Sequence, residues 1–345
     1  MSGDPRQKDP GAQRVFLLGA SGTIGRATVR ALREAGHEVV CFLRNLPDAR
    51  SFPRDVEVRV GDVTRRDSLA RDGFRGERFD ALVSCLASRT GTPKDAWAID
   101  HDAHLVAFDE AKKAHVQHVV LLSAICVQRP KLAFQEAKLA AERALIESGT
   151  TYSIVRPTAF FKSLSGQIER VKRGKPFLLF GNGKLTKCKP VSDRDLGQYL
   201  ADCLHDAERL NRILPIGGPG PAITPLEQGQ KLFELTGQTP KFRHVPIGLM
   251  DGIIAILGLL GRVSTRMRDK VELARIGRYY ATESMLFYDV EHDRYDAAAT
   301  PSTGQDTLFR YYEDVLAGRE TVSLGDHAVF EKGERLNLRQ RRLDL

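Results

Sequence analysis

Residues 14–25 read Arg14-Val15-Phe16-Leu17-Leu18-Gly19-Ala20-Ser21-Gly22-Thr23-Ile24-Gly25, a run of apolar residues that passes straight into three glycines spaced three apart. An apolar run of that length bounded by glycine reads as a buried strand, and the amphipathic stretch that follows, 24–35, reads as a helix closed by Gly36. Glycine admits a positive φ and has no Cβ to hold a phosphate away from the main chain. Glycines between a strand and the N-terminus of a helix therefore build an anion site, where unpaired N–H groups and the helix dipole converge. The flanking strand and helix supply the context that separates a phosphate-binding turn from a chance glycine triplet. Gly19, Ala20, Ser21, Gly22, Thr23, Ile24 and Gly25 are accordingly expected to line a dinucleotide, with G-x-x-G-x-x-G spacing in place of the commoner G-x-G-x-x-G.

Downstream, apolar runs of strand length alternate with helix-period segments. Strands are expected at 14–18, 38–43, 56–60, 80–86, 118–123 and 152–156, with a second clear helix over 130–147. Six β/α steps that begin on a phosphate turn imply an α/β fold, a doubly wound parallel sheet of the Rossmann type. Beyond Pro157 the rhythm loosens into short strand-like pieces (176–180 and 212–216), a helix near 193–204 and Gly/Pro-rich connectors. The expected division is a polar disordered tail at 1–13 and a nucleotide domain at 14–160. Residues 161–330 then complete the sheet and form a smaller substrate lobe, before a basic tail at 331–345.

The chain has 345 residues, 42% hydrophobic and 28% charged, with a formal net charge of +8. That suits a globular protein with a large core, and the charge admits an anionic ligand without requiring a polyanion. No basic cluster interleaves with aromatics and no duplex-reading motif is present, so no nucleic-acid partner is expected. Cys41, Cys85, Cys126, Cys188 and Cys203 stand singly, which speaks against a disulfide framework and against a metal site. Such free cysteines suit a reducing, cytoplasmic compartment, and the polar N-terminus shows no apolar secretory segment. The most apolar run, 248–261, is too short to span a bilayer.

Arg44 follows the second strand, where an acidic residue would take the ribose hydroxyl of NAD and an arginine can pair with the 2′-phosphate of NADP. Arg44 therefore points to NADPH. Asp62 and Val63 follow the third strand, with Asp62 placed either to contact the adenine or to cap the next helix. Cys85, Leu86 and Ala87 at the end of the fourth strand, Ser123 at the end of the fifth, and Pro157, Thr158 and Phe160 after the sixth complete the expected cofactor lining.

The glycine turn, Gly61-Asp62-Val63, the strand ending in Ser123 and Arg156-Pro157-Thr158 resemble the atypical or extended branch of the short-chain dehydrogenase/reductases over residues 14–160. The resemblance implies a Tyr-x-x-x-Lys pair that exchanges a proton with a carbonyl or alcohol oxygen. Here the segment is Phe134-Gln135-Glu136-Ala137-Lys138, which keeps the lysine and lacks the hydroxyl. Phenylalanine cannot carry the proton that carbonyl chemistry needs. Either the protein is non-catalytic, a nucleotide-sensing or assembly protein, or its hydride goes to an alkene. In the second case the proton goes to carbon, from lysine or from water; the resemblance implies that Lys138 binds the nicotinamide ribose, and it is the candidate acid.

Longer segments narrow this. Leu122-Ser123-Ala124-Ile125-Cys126-Val127, the stretch from Tyr152 to Ser163, and Phe180-Gly181 with Gly183-Lys184-Leu185 and Cys188-Lys189-Pro190 resemble the NADPH-dependent divinyl chlorophyllide 8-vinyl reductases. That resemblance implies a tetrapyrrole substrate, a divinyl chlorophyllide or protochlorophyllide, whose 8-vinyl group becomes ethyl in (bacterio)chlorophyll synthesis. An atypical reductase acting on another conjugated alkene is the rival. A flat apolar ring bearing a propionate wants aromatic walls and a cation at one edge. Phe134, Phe161, Lys162, Lys184 and Lys187 are the expected substrate-binding residues. The run 248–261, flanked by Arg262, Arg266, Arg268 and Lys270, suits peripheral contact with an anionic membrane, a lid over the pocket, or plain core. The number of subunits is left open.

Overall fold

A computed structural model describes residues 11–46, 52–53, 55–261 and 265–321. The two tails lie outside these residues apart from 11–13, as does Arg262; of the Arg266 side chain nothing is described. Eleven strands are described: β1 Arg14–Leu18, β2 Glu38–Leu43, β3 Glu57–Val60, β4 Ala81–Ser84, β5 His118–Leu122, β6 Thr151–Pro157, β7 Phe177–Phe180, β8 Arg212–Ile216, β9 Phe242–Val245, β10 Phe287–Asp289 and β11 Arg294–Asp296. Seven of them form one sheet in the order β3-β2-β1-β4-β5-β6-β8, with every pairing parallel. The order reverses between β1 and β4. This is a doubly wound Rossmann-type sheet, and the crevice for a ligand lies outside the carboxyl ends of its strands at that reversal.

Side-chain alternation sets the two faces. Val15 and Leu17 of β1 join Val39, Cys41 and Val83 in a core covered by the Thr23–Glu34 and Asp193–Asp202 helices, while Phe16 and Leu18 join Val40, Phe42 and Leu82 against the Ala103–Lys113 helix. A third core belongs to the C-terminal lobe, where Ile168, Phe177, Leu179, Phe233 and Tyr312 pack together. The lobe carries the β7–β9 ribbon, the β10–β11 hairpin and the helices Pro225–Thr236, Ile247–Gly261, Thr265–Thr282 and Leu308–Leu316.

The helix expected over 130–147 runs from Ala133 to Glu147. Its late start has a local cause. Gln135 Oε1 accepts from the main-chain N–H groups of Lys131 and Leu132, at 2.7 and 3.1 Å, and holds those residues outside the helix.

Candidate functional site

The glycine turn is shaped by close main-chain approach. Gly19 has φ +77°, and a Cβ there would lie 2.4 Å from the carbonyl carbon of Cys85. At Gly25 a Cβ would fall 2.2 Å from Gly19 O. These two positions exclude any side chain. Gly22 differs, since a Cβ there meets nothing nearer than 3.4 Å. It is the N-cap of the Thr23–Glu34 helix, in extended conformation and without a side-chain cap, so the first-turn N–H groups have no side-chain acceptor. A main chain brought close by glycine, at an uncapped positive helix end, fits the diphosphate of a dinucleotide. Ala20 is buried under the turn, Ile24 is nearly so, and Ser21 is exposed.

Arg44 is exposed one residue past β2. Asp62 Oδ1 accepts from Thr64 N at 2.9 Å and from Thr64 Oγ1 at 2.7 Å, which closes a tight turn of its own. The Thr64 hydroxyl and amide hold the Asp62 carboxyl below its ordinary range, and Arg44 adds to this from nearby. Val63 packs on the second core. Cys85 follows β4, half-buried, with its thiol 3.6 Å from Thr28 Oγ1, and burial pushes that thiol up to about 12. Leu86 N points at Ser84 Oγ at 3.4 Å, and the Leu86 side chain packs on the second core.

Lys138, on the Ala133–Glu147 helix, is packed among Asp100, His104, Leu122, Ser123 and Ala141. Its Nζ lies 2.9 Å from Asp100 Oδ1. Asp100 is fully buried, accepts from Ser88 N at 3.2 Å through the same oxygen, and leaves Oδ2 without a hydrogen-bond partner among the described residues. One turn further, His104 links Asp100 O (3.1 Å from Nδ1) to Ser84 Oγ (2.9 Å from Nε2), and burial, with the Lys138 charge, pushes it down to about 4. Asp100 sits in the π-helical turn Trp97–Asp102, a local geometry often found at functional sites. Ser123 donates its hydroxyl proton to Glu142, which is clamped by Arg156. Phe134 is half-buried one turn before Lys138, 3.6 Å from where a Cβ on Gly91 would sit.

Asp100 and His104 were not among the residues expected from sequence. The signal for them is periodic: Ala96, Asp100, Ala103, His104, Ala107 and Ala111 make one inward stripe, all at or below 1% exposure. A carboxylate and an imidazole on a stripe of alanines mark buried polar groups with a task to perform.

A model of the NAD(P)H-binding family matches residues 19–207, more than half of the chain. The chloroplastic divinyl chlorophyllide a 8-vinyl-reductase of Cucumis sativus is 46% identical over 341 residues, 94% of this chain and 81% of its own length. That of Arabidopsis thaliana is 44% identical over 335 residues, 91% and 80% of the two chains. The chain belongs to the divinyl chlorophyllide a 8-vinyl-reductase family. Among solved structures, an NADPH-dependent quinone oxidoreductase of Escherichia coli complexed with NADPH has a TM-score of 0.64, covering 88% of this chain and 99% of that one. At 16% identity this likeness concerns the fold.

In this member of the 8-vinyl-reductase family the residues after β6 divide among four places. Thr158 is spent on the framework, its N–H on Ile216 O at 2.9 Å and its hydroxyl on Lys189 O. Phe160 packs half-buried against the first core and bridges to Val191. Phe161, expected as a pocket wall, is instead a core residue of the C-terminal lobe, 5% exposed with its ring 5.5 Å from that of Tyr311. Lys162, expected at the substrate, donates from Nζ to Thr23 Oγ1 at 3.0 Å, beside the glycine turn. Lys184 and Lys187 are exposed, and their charges act on Glu227.

The wall beside Phe134 comes from the Thr265–Thr282 helix. Glu272 accepts from Ala133 N at 3.2 Å, Tyr279 donates to Cys126 O at 3.0 Å, and Ile276 Cδ1 would touch a Cβ on Gly91 at 3.1 Å. The Ile247–Gly261 helix packs outside it, and its one charged residue, Asp251, is held by Arg278. Leu249, Ile253, Ile256 and Leu259 on that outer helix are exposed. No described helix is long and apolar enough to cross a membrane.

Proposed function

We propose that this chain reduces the 8-vinyl group of a divinyl chlorophyllide or protochlorophyllide to ethyl with NADPH. The near-full-length identity to named 8-vinyl reductases carries the reading. The chemistry of the residues around Lys138 agrees with it. Bound with its diphosphate at the glycine turn, NADPH supplies the hydride. The chain's own part is to orient the alkene and to supply a proton to carbon. Phe134 presents an apolar ring where carbonyl reduction needs a hydroxyl, and Ser123 has its proton committed to Glu142. Lys138 is then the acid, its ammonium fixed in place by Asp100. Arg44, exposed at the end of β2, meets the 2′-phosphate. Lys184 and Lys187 offer cations to the propionate from the rim of the lobe.

Purified protein incubated with NADPH and a divinyl chlorophyllide is expected to convert it, seen as a small blue shift of the Soret band. Absence of conversion with authentic substrate overturns the reading. In the same assay Lys138→Met should lower kcat by about a hundredfold or more, and NADH serving as well as NADPH would overturn the role given to Arg44 alone.

The reading extends to an anionic membrane surface met by the Ile247–Gly261 helix. The four exposed aliphatic residues form an apolar outer face, Arg278 offsets the single acid, and Arg268, Lys270 and Arg275 stand exposed on the adjoining helix. Co-sedimentation with vesicles containing anionic lipid is expected, and should be lost in Ile253→Glu/Ile256→Glu. Equal sedimentation of that variant would remove the helix from the account.

A further inference from the structure

Lys162 belongs to the short helix Phe161–Leu164 that follows β6, yet its Nζ reaches Thr23 Oγ1 at 3.0 Å, 139 residues away in sequence. Thr23 is the first residue of the Thr23–Glu34 helix, immediately after Gly22. The ammonium is half-buried and has no ion-pair partner among the described residues; its one hydrogen-bond partner there is that neutral hydroxyl. Burial pushes its pKa down, and the charge of Arg26, one turn further along the same helix, pushes it down again, while Asp193 opposes this more weakly. The positive end of the helix dipole lies at the same place, without a side-chain cap. Two cations and a helix N-terminus thus converge around the glycine turn. A partly desolvated cation among like charges is unfavourable unless an anion joins it.

We propose that Lys162 clamps the diphosphate of the bound dinucleotide against the glycine turn, closing over it from the β6 side. This rests on the NAD(P)H reading of the turn and is independent of which alkene is reduced. The hydroxyl of Thr23 holds the ammonium in position, and phosphate oxygens then take charge-assisted bonds from Lys162 and main-chain bonds from the helix. A clamp on the diphosphate does not distinguish the two nicotinamide cofactors, because both carry that group. Selection between them stays with Arg44, so the two cations have separable signatures.

The test is a set of binding titrations on the full chain with NADPH, NADH and 2′-AMP, which has the 2′-phosphate and no diphosphate. Lys162→Met, which keeps most of the aliphatic stem, is expected to weaken NADPH and NADH by the same factor, about ten- to a hundredfold, and to leave 2′-AMP unchanged. Lys162→Arg should recover most of the loss, and the salt dependence of NADPH binding should become shallower in Lys162→Met. An unchanged NADPH dissociation constant overturns the proposal, as does a loss confined to the KM of the tetrapyrrole. Thermal unfolding of each variant separates a folding defect from a binding one, and Lys162→Gln provides a second neutral replacement. These are binding measurements, so they decide the role of Lys162 whether or not the protein reduces a vinyl group.

Discussion

At the scale of single residues, the three glycines of the turn are unequal. A methyl group on Gly25 would drive into Gly19 O at 2.2 Å, and neither partner is a flexible side chain that can swing aside. Gly25→Ala is expected to cost roughly 1–3 kcal/mol of stability and to weaken NADPH by more than tenfold, whereas Gly22→Ala meets no clash and should cost less, through the poorer N-cap alone. Thermal unfolding and cofactor titration of the two variants check this; equal behaviour would contradict the geometry. The turn was readable because its context is local, a strand before and a helix after. Asp100 was not, since a buried acid in Trp97-Ala98-Ile99-Asp100-His101 differs from a solvated one only in which side of the helix faces inward. Phe160 and Phe161 show a similar limit. Strand alternation ends with β6, and the turn that follows decides which ring enters which core.

At the scale of elements, β1, β2 and β8 fall on the expected residues because charged or turn-forming neighbours bound their apolar runs. The packing of the helix bearing the phosphate turn was hidden, as it depends on a partner far along the chain. Gly197, on the Asp193–Asp202 helix, lets that helix lie against the Thr23–Glu34 helix, and a Cβ there would sit 2.6 Å from the Ala27 carbonyl carbon. Gly197→Ala should therefore cost roughly 1–3 kcal/mol through overpacking. It should also weaken NADPH, although residue 197 is remote from the turn in sequence. A destabilised variant with unaltered cofactor affinity would show that the helix pair does not position the turn.

At the scale of the whole molecule, several histidines are buried neutral. Burial pushes His104 and His118 down to about 4, and it also lowers His37, which stacks on His205 with the Nε2 atoms 2.9 Å apart. The unfolded chain, with histidines near 6.5, binds protons that the fold refuses. The contribution of His104 and His118 is therefore fully present above that value and is lost as pH falls from it toward about 4, by about 1.4 kcal/mol per pH unit for each. His118 hydrogen-bonds Ser153 Oγ at 3.0 Å, so His118→Gln should flatten the slope of unfolding free energy against pH while lowering stability at neutral pH. An unchanged slope would mean that His118 is not held neutral. The sheet order also has a consequence during synthesis. β6 ends at Pro157 and its outer neighbour β8 begins only at Arg212, so a chain emerging from the ribosome carries a bare parallel edge until those intervening residues have been added. At ordinary elongation rates that interval is on the order of several seconds, long enough for a nascent edge strand to be met by a chaperone or by another unfinished copy before its own partner arrives.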